Sequence, residues 1–347
     1  MSPLTEALAR LAAGRDLTAA AIHAAVSAIM AGDASEAVIA AFLTALRMKG
    51  ESAEEVAGAV AAVRERSHAW EDVGLSSPLL DTCGTGGDGA NTVNVSTATA
   101  IVVASCGVPV AKHGNRSASG NSGSAEVLAE LGIAIEAEPP ALRRCLAELG
   151  LTFLFAPRFH PALQFAAPVR RQLPFRTLFN LLGPLVNPAR PEFQLVGVAG
   201  ERQADLLAEA LVRLGARRAA VVTGSDGLDE VTLDGPTRVL WVERGRVTQL
   251  AWSPDDFGLP RVPAAALRVS GPAESASRLR ELLEGRPGPV RDVVLANSAA
   301  ALLVADRVET LREGVERSAE ALDSGAAKQL LERWGPLSRS EGPTSAA

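Results

Sequence analysis

The sequence predicts an α/β protein in which a small all-helical domain packs on a larger α/β domain with a mainly parallel central sheet and flanking helices. Its 347 residues are enough for two domains that each bury a core. Residues 1–72 show helical periodicity without a strand pattern. From about residue 73, short apolar runs alternate with helical stretches, which is typical of βαβ units and a parallel sheet.

Capping residues divide the predicted helical domain, residues 1–72, into successive helices. Thr18 begins one helix, and Ser35 begins the next, which contains AFLTALRMK and ends at a glycine. Ser52 and Glu55 have the spacing of a capping box, so a third helix starts there. We therefore expect a compact helical block at this end of the chain.

The α/β domain is predicted to span residues 73–337. Its expected strands are LLDTC (79–83), VPVAKHG (108–114), LTFLFAP (151–157), QLVGVA (194–199), RAAVVTG (218–224) and TRVLWVE (237–243). Its expected helices are 97–106, 125–131, 140–149, 202–214, 294–304 and 309–324. The polar tail, 338–347, is predicted to be frayed.

One segment, 168–191, breaks the alternation of strands and helices. Its sequence PVRRQLPFRTLFNLLGPLVNPARP contains two helical turns, several prolines and three arginines before Asn180. We expect this crossover to return to the helical domain and to face a cleft between the domains. Such clefts are preferred ligand sites.

Composition excludes several classes of protein. The net charge of −6, the absence of tyrosine and only nine phenylalanines argue against a nucleic-acid-binding surface. Cys83, Cys106 and Cys145 show no CxxC spacing, so neither a disulfide framework nor a zinc site is expected, and a reducing cytoplasm fits best. No secretory signal is recognisable, and no apolar stretch approaches the roughly 20 residues that span a bilayer.

The run DTCGTGGDG, residues 81–89, follows a predicted strand and precedes a predicted helix. Its glycines allow an anion to approach the backbone closely, and the helix offers free N–H groups. Gly84, Gly86 and Gly89 also match G-x-G-x-x-G, but no acidic residue lies about 20 residues further on, so a dinucleotide site is not supported. A glycine turn without a ligand remains possible on this segment alone.

Two further polar segments strengthen the case for an anion site. NTVNVST, residues 91–97, places five hydroxyl or amide side chains ahead of a helix, where Ser96 or Thr97 is expected to be the N-cap. Lys112 and Arg116, in KHGNR, follow a strand at the edge where open α/β sheets bind ligands. His113 is interpreted as a structural hydrogen-bonding residue rather than a general base.

Asp229 and Glu230 follow the RAAVVTG strand and admit two interpretations. Acidic pairs in loops are usually solvated. Beside a polyphosphate they would repel the ligand unless a divalent cation lay between, and Mg²⁺ typically binds one or two carboxylates together with substrate phosphates. The acidic pair and the anion-binding loops can therefore belong to one site only if a metal ion lies between the carboxylates and the phosphates.

Taken together, these segments resemble the anthranilate phosphoribosyltransferases from about Leu11 to Ser324. The matching segments are AAFLTALRMKGES, DTCGTGGDG, NVST, KHGNRSASGNSGSAEVLAELG, APVRRQLPFRTLFNLLGPLVNPA and DGLDEVTL. GTGGD is shared with pyrimidine nucleoside phosphorylases, whereas KHGNR with VRR-x-L and GLDE is more specific. The resemblance implies transfer of a phosphoribosyl group to anthranilate in tryptophan synthesis, by a homodimer formed through the helical domains.

The resemblance also implies the ligand contacts. Anthranilate would contact Gly84, Asn115 and Arg170, and Mg²⁺, with two ions expected per subunit, would be held by Ser96, Asp229 and Glu230. Phosphoribosyl pyrophosphate would contact Gly84, Gly87, Asp88, Thr92, Asn94, Val95, Ser96, Thr97, Lys112, His113, Gly114, Asn115, Arg116, Ser117, Ala118, Ser119, Gly120 and Ser124. Lys112 and Arg116 would act electrostatically, without a general base.

The sequence departs from the family pattern in three places and leaves two other functions open. Gly120 stands where a second serine is common, Pro174 replaces a usual glycine, and Arg158-Phe159 precedes His160 in place of a small residue and a histidine. A nucleoside phosphorylase would have little use for a carboxylate-binding arginine and a metal pair. A nucleic-acid-binding relative without catalysis should carry a basic surface, which the net charge contradicts.

Overall fold

The computed structural model describes residues 1–71, 73–75, 77–117 and 122–340. The helices in these ranges are α1 (Pro3–Ala12), α2 (Ala19–Ala31), α3 (Glu36–Lys49), α4 (Ala53–Glu65), α5 (Val95–Ser105), α6 (Ser124–Glu130), α7 (Pro139–Leu149), α8 (Ala156–Phe159), α9 (Ala167–Gln172), α10 (Leu178–Leu181), α11 (Glu201–Arg213), α12 (Pro254–Phe257), α13 (Pro272–Leu283), α14 (Pro289–Val304), α15 (Leu311–Asp323) and α16 (Ala326–Arg339). Short 3₁₀ helices cover Pro161–Phe165, Gly183–Leu185 and Ala264–Leu267.

Seven strands form one sheet in the order β3-β2-β1-β4-β5-β6-β7. They are β1 (Leu80–Asp81), β2 (Val110–Gly114), β3 (Leu151–Phe155), β4 (Phe193–Gly197), β5 (Arg218–Gly224), β6 (Thr237–Glu243) and β7 (Arg246–Trp252). The first five strands pair in parallel, and the last two add antiparallel at one edge. The predicted fold class is confirmed, and each of the six predicted strands is present.

Strand β7 was not predicted from the sequence. It forms a hairpin with β6 through Arg244 and Gly245, which have φ of 50° and 71°. Two successive positive φ values are typical of the two-residue turns that connect hairpin strands. Arginine is rare in the first position of such a turn, so the sequence did not indicate the hairpin. Nearly all of β7 is exposed, so the strand lacks the alternation that burial of one face imposes.

The predicted helical domain begins its helices where the capping residues indicate. The Thr18 hydroxyl accepts the N–H of Ala21 at the start of α2, and Ser52 and Glu55 form the predicted capping box of α4. Ser35 precedes α3 in extended conformation, although its side chain makes no cap hydrogen bond. Side-chain oxygens thus satisfy N–H groups that a helix start leaves without partners.

The crossover shares a buried core with the N-terminal helices. Buried side chains from α9, α10 and the following 3₁₀ helix share one hydrophobic core with α2, α3, α4 and α11. Members of this core on the crossover are Val169, Leu178, Phe179, Leu181, Leu182, Leu185 and Val186. A second core lies on the other face of the sheet, around α5 and α14. The domain boundary between residues 72 and 73 stays a prediction.

The prediction of a frayed tail beginning at Ser338 is wrong. Helix α16 continues to Arg339, and the Ser338 side chain is buried, with its hydroxyl oxygen accepting the N–H of Ala134. The hydroxyl of Ser340 is a hydrogen-bond partner of Arg144. Trp334 anchors this last helix in the core, so its amphipathic pattern outweighs the small polar composition. The rest of the predicted tail, 341–347, lies outside the described residues.

Candidate active site

The candidate site lies at the carboxyl edge of the parallel strands. Each of β1, β2, β4 and β5 ends at this edge, and a polar or glycine-rich loop follows each of them. Ligands of open α/β sheets bind outside the carboxyl ends of the strands. The loops that the sequence singled out therefore meet here, and the crossover lies beside them.

Glycines allow the loops after β1, β4 and β5 to approach one another closely. The N–H of Thr85 donates to the carbonyl of Gly197 at 2.9 Å. A Cβ on Gly84 would lie 2.8 Å from that same carbonyl and 3.3 Å from a carboxylate oxygen of Asp229, and a Cβ on Gly197 would overlap the carbonyl of Asp229. Larger residues at these two positions would separate the glycine loop from the acidic pair.

Helix α5 points its first turn into this site. Asn94 is the N-cap, and its side-chain oxygen accepts the N–H of Thr97 at 3.1 Å. The expectation that Ser96 or Thr97 caps the helix is wrong, because α5 begins at Val95. Because α5 begins before Ser96, the Ser96 hydroxyl is not used as the helix cap, and Lys112 Nζ lies 3.1 Å from this hydroxyl.

Lys112 is a buried cation on β2 with polar neighbours. Its Nζ also lies 3.5 Å from the hydroxyl of Thr82, which donates to the Ser96 carbonyl at 2.9 Å. Its side chain is only 2% exposed, so its charge acts where water screens it poorly. A buried lysine without a described carboxylate at ion-pair distance is suited to an anionic ligand.

Asp81 organises the base of the site, although the sequence did not single it out. Its carboxylate accepts the N–H of Cys83 at 3.1 Å, the N–H of His113 at 3.2 Å and the amide of Asn187 at 2.8 Å. Burial raises the pKa of Asp81 to about 6, although Lys112 and these hydrogen bonds oppose the shift. In the sequence, the position of Asp81 at the start of DTCGTGGDG was the only indication of this role. Nothing in the sequence indicated that Asn187 would be its partner.

Asp88, Asp229 and Glu230 form an acidic cluster beside the glycine loop. Burial raises the pKa of Asp229, and the negative charge of Asp88 adds to the effect. Burial raises the pKa of Glu230 well above its usual value, with Asp229 as the next contribution, while Lys112 opposes it. Crowded carboxylates whose charged forms are destabilised fit a divalent cation, which would offset their repulsion.

The described residues hold no group of three or more His, Cys, Asp or Glu side chains arranged to bind a metal ion. In proteins, Mg²⁺ is usually coordinated by only one or two carboxylates, together with oxygens of substrate phosphates. The acidic cluster therefore fits a cation that arrives with a phosphorylated substrate. The backbone of Ser96 opposes the rise in the pKa of Glu230, which places Ser96 beside the same cluster.

The loop after β2 is brought only partly into the site. Arg116 is half exposed at the rim, where its guanidinium lies 3.3 Å from Glu136 and over the ring of Phe155 at 5.6 Å. The carbonyl of Asn115 accepts the hydroxyl of Ser124 at 3.3 Å. Ser117 donates its N–H to Glu126, and Gly114 ends β2. The predicted contacts Ala118, Ser119 and Gly120 lie outside the described residues.

Arg170 lies on α9 with its guanidinium over the ring of Phe179 at 5.7 Å. Its Nε is buried without a hydrogen-bond partner in the described part of the chain, and no carboxylate there forms an ion pair with it. Burial lowers the pKa of Arg170. The arginine is therefore partly desolvated and has hydrogen-bonding capacity for a ligand.

The remaining predicted contacts take structural partners. Thr92 forms an antiparallel bridge with Arg268, which fixes the segment before α5. His113 Nδ1 lies 2.9 Å from the carbonyl of Gly183, and its ring meets His160 edge-on at 5.3 Å. Burial lowers the pKa of His113 to about 3, so the ring is neutral at physiological pH. This geometry agrees with a structural role for His113.

Two family models match the chain. The helical bundle domain of a glycosyl transferase family matches residues 5–67, and the a/b domain of that family matches residues 76–328. An anthranilate phosphoribosyltransferase from Thermomicrobium roseum is 51% identical over 334 residues, covering 95% of this chain and 96% of the relative. The chain belongs to the anthranilate phosphoribosyltransferase family. Another family member, from Chloroflexus aurantiacus, is 48% identical and covers 97% of this chain and 99% of its own length.

Solved structures of anthranilate phosphoribosyltransferases share the whole fold. The enzyme from Thermus thermophilus superposes with a TM-score of 0.90 at 42% identity, covering 98% of this chain and 100% of its own. The Saccharomyces cerevisiae enzyme in complex with PRPP and Mg gives 0.89 at 30% identity, covering 97% and 98%. The yeast enzyme with 4-fluoroanthranilate gives 0.87 at 28% identity, with the same coverage.

No helix in the described part of the chain is both long and apolar enough to cross a membrane.

Proposed function

We propose that the protein transfers the phosphoribosyl group of 5-phosphoribosyl 1-pyrophosphate to the amine of anthranilate. The products are N-(5-phosphoribosyl)anthranilate and pyrophosphate, in the second step of tryptophan biosynthesis from chorismate. The observation that carries this proposal is the meeting of buried Lys112, the first turn of α5 and the acidic pair Asp229 and Glu230 at one sheet edge. Full-length similarity to anthranilate phosphoribosyltransferases supports the same function.

Phosphoribosyl pyrophosphate would bind across the glycine loop and the first turn of α5. Free N–H groups at a helix start and in glycine turns attract phosphate oxygens. Lys112 would approach the pyrophosphate from β2, and Arg116 would close over it from the rim. The proposed contacts are Gly84, Gly87, Asp88, Thr92, Asn94, Val95, Ser96, Thr97, Lys112, His113, Gly114, Asn115, Arg116, Ser117, Ala118, Ser119, Gly120 and Ser124.

Ser96, Asp229 and Glu230 would hold magnesium, for which we propose two ions per subunit. The relative from yeast was solved with PRPP and Mg together, which supports use of this metal. When bound, Mg²⁺ would neutralise charge on the pyrophosphate. The carboxylates of this chain would then stay ionised, since the cation offsets the repulsion that raises their pKa.

Anthranilate would contact Gly84, Asn115 and Arg170. Its carboxylate is its only full charge, and the guanidinium of Arg170 matches that group in shape and sign. Gly84 has no side chain to fill the space beside the glycine loop. The ring of Phe179 holds the guanidinium at 5.7 Å, so the arginine is oriented before the acceptor binds.

The side chains would promote the reaction by position and charge. The amine of anthranilate attacks C1 of the ribose as the C1–O bond to pyrophosphate breaks, with inversion at C1, and the nitrogen then loses one proton to water or to the released pyrophosphate. Lys112 and Arg116 stabilise negative charge that develops on the departing pyrophosphate. Neutral His113 is held by the carbonyl of Gly183, and no general base is required for this electrostatic mechanism.

We further propose that the chain acts in the cytoplasm as a homodimer formed through its helical domain. Pyrophosphate release with anthranilate as acceptor tests the function against its alternatives. Turnover that needs Mg²⁺ would support the proposal. Phosphorolysis of a pyrimidine nucleoside without anthranilate transfer would indicate a nucleoside phosphorylase. DNA binding with steep salt dependence and no turnover would indicate a non-catalytic relative.

A further inference from the structure

Arg176 bridges the crossover and the glycine loop. Its Nη2 donates to the carbonyl of Thr85 at 2.9 Å, and its Nη1 donates to the carbonyl of Gly86. The next residue, Thr177, begins α10 through a capping box with Asn180. The guanidinium is therefore fixed on the crossover and reaches a loop that follows strand β1.

The two ends of this bridge belong to different parts of the fold. Leu178 and Phe179, just after the arginine, are buried in the core that the crossover shares with the N-terminal helices. The glycine loop follows Leu80, which is buried in the core around α5 and α14. Arg176 consequently connects the position of the crossover with the conformation of the loop.

Peptide geometry determines what the two hydrogen bonds do. In a planar trans peptide the carbonyl and the N–H point in opposite directions. When Arg176 holds the carbonyls of Thr85 and Gly86, the N–H groups of Gly86 and Gly87 face away from the guanidinium. The backbone of Gly86 opposes the rise in the pKa of Asp229, which places this peptide group on the side of the acidic cluster.

The two glycines permit this orientation of the peptide groups but do not stabilise it. Gly86 and Gly87 have φ of 62° and 77°, a conformation that glycine adopts at little cost. A Cβ on Gly87 would lie 2.5 Å from Nη1 of Arg176. Because neither glycine restricts its own backbone, an external contact has to select one orientation of the two peptide groups.

The charge of Arg176 also suits this location. Burial lowers the pKa of its guanidinium, while the carboxylates of Asp229 and Asp88 oppose that shift. The arginine is thus the positive neighbour of the acidic cluster on the crossover side. Its two described acceptors are backbone carbonyls, which leaves the carboxylates available for a cation.

We propose that Arg176 is a positioning residue for phosphoribosyl pyrophosphate. By holding two carbonyls of the glycine loop, it keeps the N–H of Gly86 turned toward the acidic cluster and the N–H of Gly87 turned toward the polyphosphate. The inference rests on the function proposed above and adds a residue to it. Arg176 acts through the backbone of the loop and need not touch the substrate.

The test compares variants of Arg176 in the full-length protein. Arg176→Ala should raise the KM for phosphoribosyl pyrophosphate by about 10- to 100-fold, as expected for loss of charged hydrogen bonds. The kcat and the KM for anthranilate should change much less. Arg176→Lys should recover part of the loss, because an ammonium reaches one carbonyl more readily than two. Arg171→Ala, an exposed arginine on α9, is the matched control and should behave as wild type.

Chemical rescue separates positioning from structural support. Guanidinium ion added below denaturing concentrations should lower the KM of Arg176→Ala for phosphoribosyl pyrophosphate and leave the wild type unaffected. Gly87→Ala should cost less in the Arg176→Ala background than alone, because the contact with Nη1 is then absent. Equal costs in both backgrounds would contradict the proposal.

Three outcomes with the single variant Arg176→Ala also overturn the inference while leaving the proposed function intact. They are a wild-type KM in Arg176→Ala, equal damage to both substrates, and an early thermal transition without rescue by guanidinium. If the wild type transfers nothing to anthranilate, the proposed function fails instead. Calorimetric binding of inorganic pyrophosphate with Mg²⁺ then still tests Arg176, since weaker binding by Arg176→Ala is expected and equal binding refutes it.

Discussion

Replacing Arg170 with alanine should weaken the binding of anthranilate selectively. The guanidinium lies over Phe179, is partly desolvated, and has no ion pair with a carboxylate in the described part of the chain. In the proposed complex its partner is the anthranilate carboxylate. Truncation would leave that carboxylate in a cleft without its counter-charge, whereas contacts to phosphoribosyl pyrophosphate would remain.

The expected size of the effect follows from the burial of Arg170. Removing one partner of a desolvated charge pair costs about 2–5 kcal/mol. Because the arginine is half-buried rather than fully buried, the lower end of that range applies. At about 1.4 kcal/mol per tenfold, the KM for anthranilate should rise on the order of 30-fold. Loss of the contact with Phe179 costs about 0.5–1 kcal/mol of stability, which leaves the fold intact.

Steady-state kinetics with each substrate varied in turn measures this prediction. Arg170→Lys should recover only part of the loss, since an ammonium cannot form a bidentate pair with a carboxylate. Arg171→Ala, one residue further on α9 and exposed, should leave both KM values unchanged. Equal damage to both substrates in Arg170→Ala, or a much lower thermal midpoint, would mean that the residue is structural and the acceptor site lies elsewhere.

Other changes test the metal site, the buried histidine and the close loop packing. Replacing Asp229 and Glu230 together with alanine should abolish most Mg²⁺-dependent activity without unfolding the protein; unchanged activity and an unchanged Mg²⁺ optimum would mean that both are solvated acids. The pKa of His113 is lowered to about 3 in the folded protein, whereas a histidine in the unfolded chain is protonated below about pH 6.5. Protonation therefore favours the unfolded chain, so the free energy of unfolding decreases as pH falls below about 6.5. Urea titrations should show that His113→Gln removes about 2 kcal/mol of the stability loss between pH 7 and pH 5, and an unchanged loss would contradict the neutral ring. Gly197→Ala should lower the free energy of unfolding by about 1–3 kcal/mol through overlap with the Asp229 carbonyl, whereas Gly183→Ala, with open space around it, should not; equal effects would refute the close packing.

The sequence predicted the parallel part of the fold because each strand there is a short apolar run between glycine-rich turns. These parallel strands are buried along their whole length, so apolar residues predominate in them, although β2 also carries Lys112 and His113. Strand β7 was not predicted, because an exposed edge strand has no short apolar run of this kind. Helix α16 was not predicted, and its last residues were assigned to a frayed tail because Ser338 is small and polar. The hydroxyl of Ser338 has a partner in Ala134, which is distant in sequence.

The candidate site was predictable where chemistry is local and hidden where it depends on tertiary contacts. Lys112 lies on β2, a strand that the sequence predicted, so its place near the carboxyl edge of the sheet could be inferred. The partners of Asp81 could not, because Asn187 reaches it from 106 positions away. The function of Arg176 was hidden for the same reason, since the carbonyls of the glycine loop that it holds lie about 90 positions earlier.

The measurement that tests the central claim most directly is loss of anthranilate fluorescence in the presence of purified protein, phosphoribosyl pyrophosphate and Mg²⁺. The proposed function predicts that fluorescence falls only when all of these are present, and that pyrophosphate appears in equal amount. Chelation of the metal should stop the reaction. Unchanged fluorescence with folded protein and all components present, together with phosphorolysis of a pyrimidine nucleoside, would contradict it.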